Sequence, residues 1–309
     1  MPTRVSLALG AGGARGYAHI GVLRALEERD LQVVALAGTS MGALVGGLAA
    51  AGHVAEFAAW ATTLRQRDVL RLLDPKLTAP GMLSADRLLD RIHEIFPDVL
   101  IEELPIPFTA VATDLAARRE VWFQRGPLRA AVRASIAIPG VFTPAMLNGR
   151  VLVDGGLSNP VPLDPTAAVP SDLTIAVSLT GRRRVRDPVA PASTSSAPER
   201  FEEWRGRFRR TLSGLTGQEV REPESPPEPA RTAWGTEVLP GELRLLDVTA
   251  QSFEAMQGAL TRYRMAAVPA DVVVTVPVDA CRSTDFHRAE ELIDLGQRLA
   301  AEALDAAGV

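Results

Sequence analysis

The chain has 309 residues, of which 47% are hydrophobic and 23% are charged, as expected of a soluble globular protein with a sizeable core. The formal net charge of -4 gives no electrostatic reason to expect nucleic-acid binding. Cys281 is the only cysteine, which excludes an intrachain disulfide and a cysteine-based zinc site and fits a reducing cytoplasm.

The N-terminal quarter alternates between strand-like and helix-like segments. Residues 4–9 predict a strand, 10–13 a glycine loop and 15–29 a helix, followed by a strand over 31–37 and a helix over 41–51. This βαβα order predicts a mostly parallel sheet that is covered by helices.

The alternation continues along the chain without an internal repeat. Further helices are predicted at 53–67, 84–96, 128–136, 252–267 and 287–307. Further strands are predicted at 107–113, 120–124, 173–179, 243–247 and 271–278. We therefore expect a single α/β domain over 1–309.

Two apolar segments have an alternative interpretation. Residues 33–52 carry no formal charge and are long enough for a transmembrane helix, but their glycines and the change of period at Gly38 favour a strand, a turn and a helix. Residues 1–14 loosely resemble a signal peptide. Glycines replace the apolar core of such a peptide, so we expect the first strand there.

Residues 181–240 differ in composition from the rest of the chain. They begin with three arginines and contain a Ser/Thr/Pro stretch at 188–198 and a Pro/Glu stretch at 223–229. Such segments bury too little apolar surface to offset the entropy of ordering them. We expect a mobile insertion.

Within that insertion, residues 199–218 predict an amphipathic helix. Aromatic and leucine side chains recur at helical spacing among several arginines. This pattern is found in helices at a membrane surface, but we favour a helix that docks on its own core or on a partner chain. Peripheral contact with the inner membrane surface is therefore a hypothesis.

Ser40 is the best candidate nucleophile. It lies between Gly38 and Gly42, directly after one predicted strand and directly before a helix. A sharp strand-to-helix turn exposes a serine hydroxyl and requires flanking glycines, because a β-carbon would clash there. The structural alternative is an ordinary helix N-cap.

The glycine loop at 10–16 is the best candidate oxyanion hole. It precedes a helix, where backbone N–H groups lack partners and negative charge is favoured. A dinucleotide-binding pattern starting at Gly10 would need glycine where Arg15 stands, and a Walker A loop would need lysine where Tyr17 stands. Arg15 itself either pairs with an anion to hold the loop or is a solvated surface residue.

Two residues compete for the role of the base. His287 fits the chain order of an α/β-hydrolase triad, although its surroundings look like the start of a helix. Asp154 follows a short apolar strand and precedes two glycines, which places it at a strand end. Burial could raise its basicity, whereas the structural alternative is a turn residue that caps local N–H groups.

Several motifs resemble those of bacterial patatin-like phospholipases. They are LALGAGGARG at 7–16 with AHIGVL at 18–23, GTSMG at 38–42, RASIAIPGVF at 133–142 and DGG at 154–156. The resemblance covers about residues 5–164, with a weaker likeness from 252 to 304. It implies a three-layer α/β/α sandwich.

The resemblance further implies a Ser–Asp dyad without a histidine. Ser40 would be the nucleophile and Asp154 the base, with neither a metal nor an organic cofactor. The glycines of the nucleophile elbow and of the base motif are Gly38, Gly42, Gly155 and Gly156.

By the same resemblance, Gly12 and Gly13 would supply the oxyanion N–H groups, supported by Arg15 and Gly16. Ala11 stands where the family usually has glycine. Should Ala11 adopt a positive φ, the cost would be roughly 1 kcal/mol, so no oxyanion role is expected for it.

These observations predict a hydrolase that cleaves lipid acyl esters. A histidine-dependent esterase using His287, and a non-catalytic membrane-associated binding protein on the same fold, are the alternatives. The sequence does not distinguish the acyl chain, the headgroup, thioesters from oxygen esters, or hydrolysis from acyl transfer. It gives no indication of the oligomeric state.

Overall fold

A computed structural model describes residues 2–72, 91, 94–95, 98–182 and 245–309. Its strands are β1 (Arg4–Leu9), β2 (Gln32–Thr39), β3 (Phe108–Asp114), β4 (Arg119–Phe123), β5 (Ala145–Leu147), β6 (Arg150–Asp154), β7 (Leu173–Gly181) and β8 (Val272–Pro277). Its α-helices are α1 (Ala18–Glu27), α2 (Met41–Ala50), α3 (Val54–Thr63), α4 (Gln66–Leu72), α5 (Leu128–Ser135), α6 (Leu245–Ala267) and α7 (Ala289–Ala307). Short 3-10 helices lie at Gly13–Tyr17, Ile101–Glu103, Gly155–Leu157 and Asp164–Ala168.

The strands form one sheet in the order β5-β6-β3-β2-β1-β7-β8, with β4 also paired to β3. The pairs β1–β2, β1–β7, β2–β3 and β7–β8 are parallel. At the other end, β4 and β6 pair antiparallel with β3, and β5 pairs antiparallel with β6. The predicted α/β fold is confirmed, and its parallel centre carries an antiparallel edge.

Helices cover both faces of the sheet, because successive strand side chains point to opposite sides. Leu7 and Leu9 of β1 face the main hydrophobic cluster, which also contains buried residues of α1, α2 and α7. Ala8, between them, faces a second cluster with Leu163, against which Met265 of α6 packs. The resulting layers are those of the expected α/β/α sandwich.

The parallel strands bring their carboxyl ends to one edge of the sheet. The first β-strand leads there into the glycine loop, and β2 leads into Ser40. Because β6 runs antiparallel to β3, Asp154 ends its strand beside Ala112, close to the same edge. The fold thus collects the motif residues from distant parts of the chain.

Two sequence predictions differ from the structure, and one strand was not predicted. Residues 245–247 belong to α6, so the predicted strand at 243–247 is wrong for them, because a short apolar run does not distinguish a strand from a helix. The helix predicted at 53–67 breaks at Leu64, where the backbone is extended, into α3 and α4. The three-residue strand β5 was not predicted.

The apolar segment 33–52 forms most of β2 and then α2, so it is not a transmembrane helix. No helix within the described ranges is both long and apolar enough to cross a membrane. The predicted helix at 84–96 lies largely outside the described residues, as do almost all of the 181–240 insertion and the whole of 199–218. Residues 1–184 and 249–309 group into one compact unit, which contains the motif residues.

Candidate active site

Ser40 lies on the tight turn between β2 and α2. Its backbone has φ 57° and ψ -124°, a conformation that is strained for a residue with a β-carbon. A β-carbon on Gly38 would lie 2.2 Å from the carbonyl oxygen of Gly42, and one on Gly42 would lie 2.1 Å from that of Leu9. The two flanking glycines are therefore required by the closeness of the backbones.

The side chain of Ser40 bonds to Asp154. Ser40 Oγ donates a hydrogen bond of 2.5 Å to Asp154 Oδ2, and both residues are buried. Ser40 stands at the N-cap position of α2, yet its side chain makes no capping hydrogen bond. The structure thus brings together the predicted nucleophile and the predicted base, which are separated by 114 residues in the chain.

Hydrogen bonds hold both the backbone and the side chain of Asp154. Its N–H donates to the carbonyl oxygen of Ala137 at 2.9 Å, and its Oδ1 accepts from the N–H of Gly156 at 2.7 Å. A β-carbon on Gly155 would lie 2.2 Å from the carbonyl oxygen of Val111, so this motif also depends on close backbone packing. The other carboxylate oxygen, Oδ2, is the one that accepts from Ser40.

Burial raises the pKa of the Asp154 carboxyl from its ordinary 3.8 to about 6. The hydrogen bonds from Ser40 and from the Gly156 N–H favour the charged form and limit this rise in pKa. A carboxylate with a pKa of about 6 is a better proton acceptor than an exposed aspartate and is still mostly ionised at neutral pH. Asp154 therefore has the electrostatic environment of a general base.

No histidine in the described part of the chain hydrogen-bonds to Ser40. His19 is fully buried and its Nε2 bonds to the carbonyl oxygen of Gly10 at 2.8 Å. Burial lowers the pKa of His19 to about 4, so it is neutral at physiological pH. His53 Nδ1 lies 3.7 Å from Glu56 Oε1, and the half-buried His287 makes no hydrogen bond to Ser40. The arrangement does not favour the His287 alternative.

Two neighbouring amides of the glycine loop have no acceptor in the part of the chain that the structure describes. The N–H groups of Gly10, Ala11 and Ala14 bond to the carbonyl oxygens of Val177, Pro160 and Ser283. Those of Gly12 and Gly13 bond to no acceptor among the described residues. Ala11 does not adopt a positive φ, so alanine at this position introduces no backbone strain. The amides predicted as oxyanion donors, those of Gly12 and Gly13, are thus unbonded among the described residues.

Arg15 is buried rather than solvated, with 2% of its side chain exposed. Its guanidinium donates to Glu254 Oε1 at 2.6 Å and to the carbonyl oxygen of Val278 at 2.8 Å. These bonds join the glycine loop to α6 and to the segment after β8. A β-carbon on Gly16 would lie 2.1 Å from Met41 Cγ, which packs the same loop against the start of α2.

Ser135, at the end of α5, is a buried partner of the nucleophile turn to which sequence reasoning assigned no role. Its Oγ accepts the Ser40 N–H at 2.9 Å and donates to the carbonyl oxygen of Val111 at 2.6 Å. The bond satisfies a backbone donor that the tight turn would otherwise leave buried and unpaired. Ser135 lies inside the RASIAIPGVF motif, which was the one available signal.

A polar network behind Ser40 and Asp154 was also missed. Thr39 Oγ1 donates to the carbonyl oxygen of Asn159 at 2.8 Å, and Asn159 Nδ2 donates to Glu120 at 2.7 Å. Arg264 of α6 then bonds to Glu120 at 2.6 Å and to Asp164 at 2.9 Å. The network connects Thr39, the residue before Ser40, to three separate elements.

An apolar pocket opens over Ser40. Its empty volume is about 490 Å³, including the mouth that is open to solvent. Besides Ser40 and Gly13, its lining consists of hydrophobic and aromatic side chains: Tyr17, Met41, Leu44, Phe57, Trp60, Ile136, Ile138, Phe142 and Phe286. Such a lining suits a hydrocarbon chain whose carbonyl lies at the nucleophile. In the described ranges, no three His, Cys, Asp or Glu residues come close enough together to hold a metal ion.

The chain was compared with known proteins. A family model described as patatin-like phospholipase matches residues 7–167. An uncharacterised NTE family protein of Mycobacterium tuberculosis is 45% identical over 98% of this chain and 92% of its own length. The family match confirms the resemblance drawn from the motifs.

More distant relatives align with only part of this chain. Patatin-like phospholipase domain-containing protein 6 of Homo sapiens is 35% identical over 57% of this chain and 13% of its own length. Neuropathy target esterase sws of Drosophila melanogaster is 36% identical over 52% of this chain and 12% of its own. Because the family model spans more than half of the chain and the mycobacterial relative aligns with nearly all of it, the chain belongs to the patatin-like phospholipase family.

Proposed function

We propose that this protein is a serine hydrolase that cleaves lipid acyl esters through Ser40 and Asp154. The observation that supports this most is the 2.5 Å hydrogen bond from Ser40 Oγ to a buried carboxylate, beneath an apolar pocket. Family membership supports esterase activity on lipids in general. The catalytic dyad of Ser40 and Asp154 and the roles of the oxyanion amides are our proposal.

In the first half of the reaction, Asp154 Oδ2 takes the proton of Ser40 Oγ as that oxygen attacks the acyl carbonyl carbon. The tetrahedral intermediate collapses when its carbon–oxygen bond to the alcohol breaks, and the protonated Asp154 gives its proton to the leaving alkoxide. The products are a free alcohol and an acyl ester on Ser40.

In the second half, Asp154 takes a proton from water, whose oxygen attacks the acyl carbon. When the second intermediate collapses, the carbon–oxygen bond to Ser40 breaks and Asp154 returns the proton to Ser40 Oγ. A fatty acid leaves and both residues regain their starting states. An alcohol in place of water would give acyl transfer by the same steps.

The negative charge on the intermediate's oxygen would be stabilised by the N–H groups of Gly12 and Gly13. Both amides lack an acceptor among the described residues, and they lie at the start of a 3-10 helix. The N–H of Met41, the first residue of α2, is a third candidate, because helix formation leaves it without an acceptor. Each such donor typically contributes about 100- to 1000-fold to the rate.

The apolar pocket would hold the acyl chain. Its side chains can exclude water from a hydrocarbon, whereas they offer few partners for a sugar, a peptide or a nucleotide. The proposal therefore concerns the acyl part of the substrate. Peripheral membrane contact through residues 199–218 remains a hypothesis, and the cytoplasmic location remains a prediction.

A substrate panel tests this function. The full chain should hydrolyse p-nitrophenyl esters and phospholipids, and Ser40→Ala should remove the activity on every substrate in the panel. Within the ester series, lengthening the acyl chain should lower KM until the pocket is filled, because each added methylene group buries more apolar surface. Turnover that is equal in Ser40→Ala and in the wild type would refute the proposal.

A further inference from the structure

Three exposed apolar side chains form a row near the end of the antiparallel part of the sheet. Met146 of β5 pairs directly with Val151 of β6. Leu115, which follows β3, donates its N–H to the carbonyl oxygen of Val151 at 3.1 Å and so extends the row. The exposed fractions are 66% for Met146, 47% for Leu115 and 36% for Val151.

This row lies beyond the sheet edge that holds the nucleophile. Val111 of β3 is level with Thr39, the residue before Ser40. Leu115 is four residues further along, which is about 13 Å at the rise of an extended strand. The turns after β3 and between β5 and β6 therefore project from the catalytic edge of the molecule.

The chain links the row directly to the apolar pocket. Ile138 and Phe142 line the pocket, and Met146 follows Phe142 by four residues. Between Ile138 and Met146, the exposed residues include Pro139, Gly140, Thr143 and Pro144. The same segment thus has a side toward the acyl site and a side toward solvent.

Cationic side chains lie in the same turns as the row and next to it along the chain. Arg118 and Arg119 lie in and after the turn that begins at Leu115, are exposed, and make no ion pair with the described residues. Arg150 is half-exposed, and its Nε lies 3.9 Å from the buried Asp114. Glu120 is engaged by Arg264 and does not neutralise these arginines. The turns that carry Arg118, Arg119 and Arg150, which we call the outer rim, therefore have an excess of positive charge.

We propose that Leu115, Met146 and Val151, with Arg118, Arg119 and Arg150, form a hairpin patch that docks the enzyme on a bilayer containing anionic lipids. The apolar row would enter the interface while the arginines contact lipid phosphates. The proposal rests on the function proposed above and names the surface from which the substrate is taken.

A lipid surface fits this patch better than a second copy of the chain does. Three apolar side chains cover far less than the roughly 1,200 Å² that a stable protein interface buries. The rim would also place arginines against arginines in a symmetric dimer, since such an interface pairs the same patch from both subunits. An anionic bilayer has neither difficulty.

Vesicle sedimentation of the full chain tests the proposal, in a Ser40→Ala background so that the lipid is not consumed. The vesicles contain phosphatidylglycerol and phosphatidylcholine in equal parts, or phosphatidylcholine alone. The test variants are L115S/M146S and R118Q/R119Q. The controls are V273S, an exposed apolar residue on the opposite edge strand β8, and R24Q, an exposed arginine near the far end of α1.

We expect R118Q/R119Q to weaken binding to anionic vesicles by about 25-fold, from about five-fold per arginine, with the control variants close to the parent. L115S/M146S should weaken it on the order of ten-fold. With Ser40 restored, both double variants should lose turnover of vesicle-held lipid but keep turnover of a soluble short-chain ester. Unchanged thermal melting shows that the variants fold.

Three results would overturn the docking proposal. The first is vesicle binding that is unchanged in both double variants. The second is binding that depends only on residues 199–218, as judged by deleting them. The third is a dimer in size-exclusion chromatography that L115S/M146S converts to a monomer. In each case Ser40-dependent turnover of the soluble ester would still support the hydrolase function, so the two proposals fail separately.

Discussion

Arg15 Nη2 lies 2.6 Å from Glu254 Oε1, which ties the glycine loop to a helix 239 residues later in the chain. Only 2% of the Arg15 side chain is exposed, against 29% of the Glu254 side chain. A buried guanidinium without its carboxylate is costly, because its charge has lost both water and a counter-ion. The position of the proposed oxyanion amides therefore depends on a residue outside the motifs.

Removing the carboxylate should lower both stability and activity. We expect Glu254→Ala to reduce the free energy of unfolding by about 1–3 kcal/mol, discounted for the partial exposure of Glu254, and to lower kcat by displacing the loop. Glu254→Gln should cost less, since it keeps an acceptor for Arg15. Chemical denaturation and ester turnover measure the two effects.

The matched control is Glu291→Ala on α7, which removes an exposed ion pair between Glu291 and Arg288. Surface pairs of this kind contribute about 0–1 kcal/mol. An equal loss of stability in the Glu254 and Glu291 variants would contradict the importance assigned to the Arg15 contact.

Two glycines of α2 should respond differently to alanine. Gly42→Ala places a β-carbon 2.1 Å from the carbonyl oxygen of Leu9, so the turn and β1 cannot keep their positions. In Gly46→Ala the nearest atom is 3.2 Å away, on the ring of Phe108, and alanine favours the helix. We expect no active protein from Gly42→Ala and an active protein from Gly46→Ala, as measured by soluble yield and turnover.

Activity should rise with pH through about 6. Asp154 accepts protons only when it is ionised, and burial raises its pKa to about 6, so kcat/KM should fall below that pH and level off above it. A histidine base would give a similar acid limb. The limb must therefore persist in His287→Ala; its loss in that variant would favour the histidine alternative.

The same carboxyl sets a trend in stability. Because the pKa of Asp154 is raised on folding, the folded protein binds this proton more tightly than the unfolded chain does. The resulting contribution to the free energy of unfolding is present below about pH 3.8 and is lost as the pH rises through about 6. His19, whose pKa is lowered to about 4, acts in the opposite sense: its contribution is present above about 6.5 and lost as the pH falls through about 4.

His19 is present in both Asp154→Asn and the wild type, so its effect cancels in the difference between their free energies of unfolding. That difference therefore reports on Asp154. Asparagine should gain stability relative to the wild type between about pH 4 and pH 7, on the order of 2–3 kcal/mol. Denaturation curves across this range measure the difference. A pH-independent difference would mean that Asp154 has no raised pKa.

The sequence pointed to Ser40 and Asp154, which the structure brings together, because their motifs are local. Gly38 and Gly42 identify a tight turn without knowledge of the fold, and Asp154 is marked by the strand before it and the glycines after it. Nothing local marks the bond of Ser135 to Ser40, 95 residues away, or the bonds of Arg264 to Asp164 and Glu120, which are 100 or more residues away, so only the folded chain brings these partners together. Likewise, the short strand β5 is formed by its pairing with β6 and not by a pattern of its own.

Ser135 should support the strained turn at Ser40. Ser135→Ala leaves the Ser40 N–H and the Val111 carbonyl oxygen without this partner, at a cost of about 1–3 kcal/mol in stability. We also expect a lower kcat, because the nucleophile is less firmly held. Calorimetry and turnover provide the two readouts.

Ser6→Ala is the appropriate control, because Ser6 is equally buried but its Oγ has no partner among the described residues. Its removal should be neutral or slightly stabilising. If the two alanine variants behave alike, the bond from Ser40 N–H to Ser135 contributes nothing to the turn.

Covalent labelling by a fluorophosphonate, followed by mass spectrometry of the modified peptide, tests the dyad most directly. We predict that the wild type and His287→Ala are labelled at Ser40 at similar rates, and that Asp154→Asn, although folded, is labelled more slowly by several orders of magnitude. Rapid labelling of Ser40 in Asp154→Asn, or its loss in His287→Ala, would contradict the assignment of Asp154 as the base.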